Sequence, residues 1–396
     1  MAARAEGAKP PATAGRLAEL DGLRAVAIVL VLLYHFMEAV PIAGVRRVTG
    51  FGWAGVDLFF VLSGYLIGGI LLEKRKSPNY YRVFYLRRCL RILPLYVVVI
   101  TPALLVAGLG LQSYFAGHSL GGQFGVAIWL YPVFLQNIGS ALLLASPLYL
   151  APAWSLAVEE QFYLLLPPMV RHFKPQQFAA IIVTAIFAAP TLRGALLMVF
   201  GAKAAVAGYV LLPCRWDALL LGVLSAYAIR VAELKEWMIA RMGLLRIVWL
   251  TLAAGMVAMI SAGLERLSPL VVVVGYTWNA VFFTCTLLLA TLNDGGWFSQ
   301  WLSRPWLKPV ATVSYGMYLL QGPTLALVQS VVHHTAHAPT GWIATSVNFL
   351  AMAVTAIMAA ASWRFFESRL IRLGHKYNYH AAEAAVIQAK YPANQM

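Results

Sequence analysis

Charge is what this sequence has least of. Of its 396 residues only 11% are charged and 61% are hydrophobic, with 15 acidic side chains against 30 basic ones. That balance excludes an ordinary soluble globular domain. Cysteine is scarce as well. Cys89, Cys214 and Cys285 lie in or beside apolar segments at no paired spacing, which excludes a disulfide framework and a thiolate zinc site. There is no internal repeat and no polar stretch of domain size. No G-x-S-x-G pattern surrounds Ser63, so no nucleophile elbow is read there. The shortage of carboxylates leaves a net charge of +15. Nucleic acid could attract such a charge, but Lys and Arg sit in short clusters between apolar runs, as in the cytoplasmic loops of a membrane protein. No small-residue cleavage site follows the first apolar run, so that run is a retained helix and not a signal peptide.

What is present is apolar length. Segments recur at 20–40, 55–73, 89–110, 126–144, 153–170, 178–198, 205–229, 245–262, 269–291, 309–332 and 342–363. Lipid cannot satisfy an unpaired backbone, so the predicted fold is all-α: a polytopic transmembrane helix bundle forming one domain over 17–373. Residues 1–16, rich in Ala, Pro and Gly, are a disordered cytoplasmic tail, and 374–396 form a second cytoplasmic tail.

Basic residues set the orientation. Arg4, Lys9 and Arg16 place the N-terminus inside. Lys74, Arg75, Lys76, Arg82, Arg87, Arg88 and Arg91 mark one inner loop, Lys235, Arg241 and Arg246 another, and Arg304 with Lys308 a third. Arg364, Arg369, Arg372 and Lys376 place the C-terminus inside too. About ten spans satisfy this if 126–144, interrupted by Tyr131, Pro132, Gln136, Asn137, Gly139 and Ser140, does not cross. Arg46 and Arg47, which this topology puts outside, run against it.

The first span, Leu20 to Glu38, carries Asp21, Arg24 and His35. At about 100° per residue, Arg24 and His35 differ by roughly 20° around the axis, and Asp21 lies within roughly 40° of His35. They form one polar stripe with roughly 16 Å of rise between Arg24 and His35. Ionisable groups at membrane depth point to function inside a bundle. The plainer reading leaves Asp21 and Arg24 at the water interface and His35 as a packing residue.

The stretch Pro152 to Pro168 begins on the same side as His35, so Trp154, Ser155, Glu159 and Glu160 are expected near its depth. Ser155, Glu159 and Tyr163 share a helical face. A carboxylate there would orient the His35 ring and raise its basicity, as a general base requires. The alternative is that Glu159 and Glu160 pair near the interface. Arg87, Arg88 and Arg91 sit at i, i+3 and i+4 spacings and can converge on one polyanion, such as the phosphates of a nucleotide-bearing donor. The alternative is charge that only fixes topology. A buried Asp57 needs a partner, Arg24 or another basic residue. Ser63 suits a helix back-bond better than a nucleophile. His333, His334 and His337 have no carboxylate or cysteine beside them and read as a solvated loop.

Together these segments resemble the acyltransferase 3 family of integral-membrane acyltransferases that decorate sugars and sugar-bearing molecules. The matching stretches are LDGLRAVAIVLVLLYH (20–35), GVDLFFVLSGYLIG (55–68), FYLRRCLRILPLY (84–96), PAWSLAVEEQFYLLLP (152–167), VSYGMYLLQGP (313–323) and FFESRLIRL (365–373). The resemblance implies His35 as the essential histidine, the Arg87, Arg88 and Arg91 cluster as acyl-CoA binding, and Trp154 to Glu159 as part of the active centre. This sequence departs from the family pattern at Gln321, where many members have histidine, and at Arg369, near where proline is common. Only a short tail follows the last apolar segment, so relatives with a fused extracytoplasmic domain are not the expected comparison.

The expected activity is O-acylation, with an acyl group, acetyl first, passing from acyl-CoA to a hydroxyl of a glycan or glycosylated small molecule at a bacterial inner membrane. His35 and Glu159 are the expected catalytic pair. Arg24, Arg87, Arg88 and Arg91 are expected to bind the donor, and Asp57, Ser63, Tyr65, Trp154 and Ser155 the substrate. No metal and no nucleic acid is expected. Direct attack and an acyl-histidine intermediate both remain open. The other function classes are a transporter or flippase, disfavoured by the missing repeat and the few mid-membrane carboxylates, and an inactive relative serving as an assembly partner.

Overall fold

The computed structural model of the chain describes residues 18–110, 126–144, 147–292, 296–335 and 340–380. The regular elements among the described residues are all helical. Helix α1 spans Ala18–Phe36, α2 Ala43–Gly50, α3 Gly55–Lys74 and α4 Tyr80–Gly108. A short α5 (Gln136–Ala141) leads to α6 (Trp154–His172), α7 (Pro175–Phe200), α8 (Ala204–Val210) and α9 (Leu212–Arg230). Then follow α10 (Ala232–Ala240), α11 (Met242–Ser261), α12 (Tyr276–Leu292), α13 (Trp297–Leu302), α14 (Leu307–Thr335), α15 (Gly341–Ser362) and α16 (Ser368–His375). The tail 1–16 and His337 lie outside the described residues, and the side chains of His333 and His334 are not described either.

By length and composition, 6 helical runs among the described residues can cross a membrane: Ala43–Lys74, Tyr80–Gly108, Pro175–Arg230, Met242–Ser261, Val271–Leu292 and Gly341–His375. α1 and α6 stand apart from these. They carry Glu19, Asp21 and Arg24, and Glu159, Glu160 and Arg171, and both bury one face in the bundle. α11 is the opposite case. Only Leu252 of its 20 residues is buried, as suits a helix that presents apolar side chains to lipid.

The segment 126–144 is not one helix. A 3-10 turn over Val126–Val133 breaks at Phe134, whose φ of 55° is left-handed, before α5 resumes. Such a φ is costly for a bulky residue and persists where neighbours hold it. Gln161 donates to the Phe134 carbonyl at 2.8 Å, Gln136 to the Ala153 carbonyl at 2.9 Å and Asn137 to the Val210 carbonyl at 3.2 Å. Two of the polar residues that interrupt the apolar run thus tie it to carbonyls of neighbouring segments, while Gln161 of α6 meets the turn at Phe134. α4 shows the reverse. It begins at Tyr80, well before the apolar run at 89, so the arginines lie on helix faces and not in a loop.

Two central helices meet at glycines. A Cβ at Gly64 of α3 would lie 1.8 Å from the Leu219 carbonyl oxygen, and one at Gly222 of α9 would lie 2.1 Å from that of Val61. Lipid supplies no hydrophobic drive between helices, so close backbone approach of this kind does that work. Around this pair, buried ions tie the bundle together. Arg215 of α9 bonds Asp57 of α3, whose other oxygen accepts from Asn279 of α12 at 3.3 Å. Arg193 of α7 bonds Asp217 of α9 at 3.0 Å and Thr277 of α12 at 2.6 Å.

Candidate active site

One cavity of about 430 Å³ opens between α1, α3, α4, α6 and α14 and reaches α16. That lies within the range of small-molecule sites. Its basic end is built by Arg87, Arg88 and Arg91 on α4 and by Arg24 on α1. These guanidiniums come together because α4 is helical from Tyr80 and α1 turns Arg24 toward the same space. Glu159 and Tyr163 of α6 and Ser63 of α3 line it as well.

Glu159 lies within electrostatic reach of Arg24, Arg88 and Arg91, so the cations here have a carboxylate among them. Tyr163 donates its hydroxyl to Glu159 at 3.2 Å, and Ser63 shares a 2.5 Å bond with the Tyr163 oxygen. Since Tyr163 has one proton, the chain runs Ser63 to Tyr163 to Glu159. The Arg88 guanidinium lies 5.9 Å from the Tyr163 ring centre. A second chain closes another wall. Tyr318 of α14 donates to the Pro152 carbonyl at 2.7 Å, so Ser155 donates to Tyr318 at 2.5 Å.

His35, Asp57, Tyr65 and Trp154 lie outside this lining. The ring nitrogen Nδ1 of His35 lies 2.8 Å from the Val31 carbonyl, one turn back on α1. A carbonyl only accepts, so Nδ1 carries the proton and Nε2 keeps its lone pair in the neutral ring. Among the described residues, the guanidinium of Arg266, from the connection between α11 and α12, acts electrostatically on that ring. Glu159 is therefore not the partner that orients His35. It sits with Arg24 at the other end of the α1 stripe. The expectation treated the α6 segment as lying at one depth, but Glu159 is five residues past Trp154, about 7.5 Å further along the helix. The cavity wall and the His35 anchor share neighbours. Val56 lines the cavity, and the adjoining Gly55 packs on Val31, whose carbonyl holds the imidazole.

Asp57 is committed to Arg215 and Asn279 and is fully buried, so it serves the bundle and not the cavity. Of the alternatives the sequence left open, Arg24 or another basic residue, the structure shows another basic residue, Arg215. The Arg215 guanidinium lies 4.1 Å from the Tyr276 ring centre, in a buried box with Tyr209, Trp53 and Trp154. Trp154 is a wall of that box. Tyr65 is buried in α3 within reach of Arg230.

Sequence reasoning missed several cavity residues: Tyr315, Tyr318, Glu367 as a lining group, His375 and Tyr379. The two tyrosines sit in the VSYGMYLL run, where three-residue spacing on an apolar helix gave a readable signal. Tyr379 gave none, because it lies past the last helix. Among the described residues no group of three His, Cys, Asp or Glu is placed to hold a metal ion.

Against known proteins, a family model described as an acyltransferase domain matches residues 17–362. O-acetyltransferase OatA of Staphylococcus aureus (strain NCTC 8325 / PS 47) is 28% identical over 385 residues, covering 90% of this chain and 57% of the relative. Peptidoglycan O-acetyltransferase OatA of Listeria monocytogenes is 28% identical over 371 residues, covering 90% of this chain and 56% of the relative. The chain thus spans little more than half the length of the curated relatives it matches, so longer proteins are the comparison after all. No solved structure matches the chain.

Proposed function

The chain belongs to the acyltransferase domain family matched over residues 17–362, and from that membership we propose that it transfers an acyl group, acetyl first, from an acyl-CoA to a hydroxyl of a glycan. A cell-wall glycan is the first acceptor to test, because a relative named for peptidoglycan O-acetylation shares 28% identity with it. The observation that carries the donor half of this reading is the convergence of Arg24, Arg87, Arg88 and Arg91 on one cavity. Such a cluster fits the phosphates of a nucleotide-bearing donor, since guanidiniums meet phosphate in forked, charge-assisted pairs. The apolar wall of Val56, Phe59, Leu62 and Ile67 fits the thinner arm that would follow.

When bound, an acyl-CoA supplies a thioester as the activated acyl group. The chain's own residues do the rest. Arg24, Arg88 and Arg91 hold the phosphates at the basic end. The Ser63–Tyr163–Glu159 chain places a carboxylate among the guanidiniums and holds it there. His35 takes the proton of the acceptor hydroxyl on Nε2, with Nδ1–H held by Val31, so that the oxygen attacks the thioester carbonyl. The C–S bond then breaks, and Nε2 returns the proton to the departing sulfur, which leaves as the CoA thiol. Ten spans with both termini cytoplasmic place the basic end of the cavity inside and His35 in the outer half of α1.

Purified protein with labelled acetyl-CoA and a glycan acceptor tests the activity. Label should appear on the acceptor, or CoA should be released slowly without one. Neither event in a protein that remains monodisperse overturns the reading.

A further inference from the structure

The segment after α16 lies beyond the family match at 17–362, yet it is strapped across the basic end of the cavity. Ser77 donates to the His380 carbonyl at 2.9 Å. Asn79 donates to the Asn378 carbonyl at 3.0 Å and accepts from the His380 backbone at 3.1 Å. Arg87 donates to the Tyr377 carbonyl at 2.9 Å and to the Asn378 side chain at 3.2 Å. These bonds hold the half-buried Tyr379, whose ring centre lies 5.5 Å from the Arg87 guanidinium and whose side chain lines the cavity. The guanidinium of Arg87 is therefore taken up by the strap, while Arg88 and Arg91 line the same cavity further along α4.

We propose that Tyr379 is the stacking platform for the nucleotide base of the donor, and that Arg87, Ser77 and Asn79 position the strap that carries it. An aromatic ring beside a cluster of arginines is the arrangement that binds a nucleotide without reading its sequence: the cations take the phosphates and the ring takes the π face of the base. The strap is fixed mostly through its backbone carbonyls and amides, so its course does not depend on the side chains of 376–380, and the ring is presented whatever its neighbours are. This inference rests on acyl-CoA being the donor.

Calorimetry on the purified full chain separates the two ideas, using CoA and 4′-phosphopantetheine, which lacks the adenine nucleotide. Tyr379→Ala should weaken CoA binding about 5- to 150-fold, the range of one base–aromatic stack. Tyr379→Phe should bind CoA like the parent, and 4′-phosphopantetheine should bind all three proteins alike, which also shows that the site is folded. Asn79→Ala should weaken CoA by a smaller factor, through the strap. No CoA binding by the parent removes the donor reading and this inference with it. CoA binding that is equal in parent and Tyr379→Ala overturns the inference alone, as does a loss of CoA and 4′-phosphopantetheine binding in equal proportion.

Discussion

Asp57 and Arg215 are almost wholly buried and hold one another. Removing one member strands the other, which costs about 3–5 kcal/mol. Asp57→Ala should therefore lower the melting temperature in detergent sharply, and adding Arg215→Met should recover part of it, as followed by size-exclusion after a heat step. Equal stability of parent and Asp57→Ala would contradict the structural role given to this pair. Arg88 makes the opposite case, since it lines the cavity. Arg88→Ala and Arg91→Ala should each weaken CoA by about 10- to 150-fold, the worth of a charge-assisted contact, and Lys should restore only part because it lacks the fork. Unchanged CoA affinity in both Ala variants, by calorimetry, would return these residues to plain positive-inside charge. At this scale the sequence was legible where helical geometry alone decides: the i, i+3 and i+4 arginines do converge, and Glu159 and Tyr163 do share a face and a bond. It was not legible where depth decides. The partner of Asp57 comes from α9, 158 residues away, and no local pattern announces such a pairing.

The elements carry the next set of consequences. α3 and α9 approach so closely that Gly64 and Gly222 have a carbonyl where a side chain would start. Gly222→Leu should force the two backbones apart, and with them the Asp57–Arg215 bond and the Ser63 wall of the cavity. Loss of monodisperse protein, or of CoA affinity in what survives, is the expected readout. A Gly222→Leu protein with parental stability and affinity would show that the contact is not needed. Helix existence was readable from apolar length nearly everywhere. Boundaries were readable only where lipid exposure sets them: α4 starts at Tyr80 because its first turns pack in protein, not because they are apolar. The interruption of 126–144 by Gln136 and Asn137 did mark a broken element, since buried amides in a membrane protein need irregular backbone to satisfy. The strap over 376–380 left no trace in periodicity, because it is held by its own backbone.

For the whole molecule, the basic end of the cavity and His35 lie at opposite ends of the α1 stripe, roughly 16 Å of rise apart. On the proposed orientation, with the basic loops inside, a soluble donor would be taken from the cytoplasm and the acceptor would meet His35 nearer the outer face. The tail that carries Tyr379 must then be cytoplasmic. Tyr377→Cys in a chain freed of its other cysteines should react with a membrane-impermeant thiol reagent only after cells are opened. Labelling in intact cells would invert the topology and separate the arginines from a cytoplasmic donor. The proposed orientation rests on Lys and Arg alone, whereas the joining of α1, α3, α4 and α6 around one space comes from packing that no single segment reveals.

The most direct measurement is acyl transfer by His35→Gln, with label from acetyl-CoA followed onto a glycan acceptor in protein that still binds CoA. Glutamine keeps size and hydrogen bonding but cannot take the proton of a hydroxyl. The account predicts parental CoA affinity and a transfer rate lower by about 10²–10⁴-fold. Near-parental transfer by a well-folded His35→Gln protein would make His35 a packing residue and contradict the mechanism.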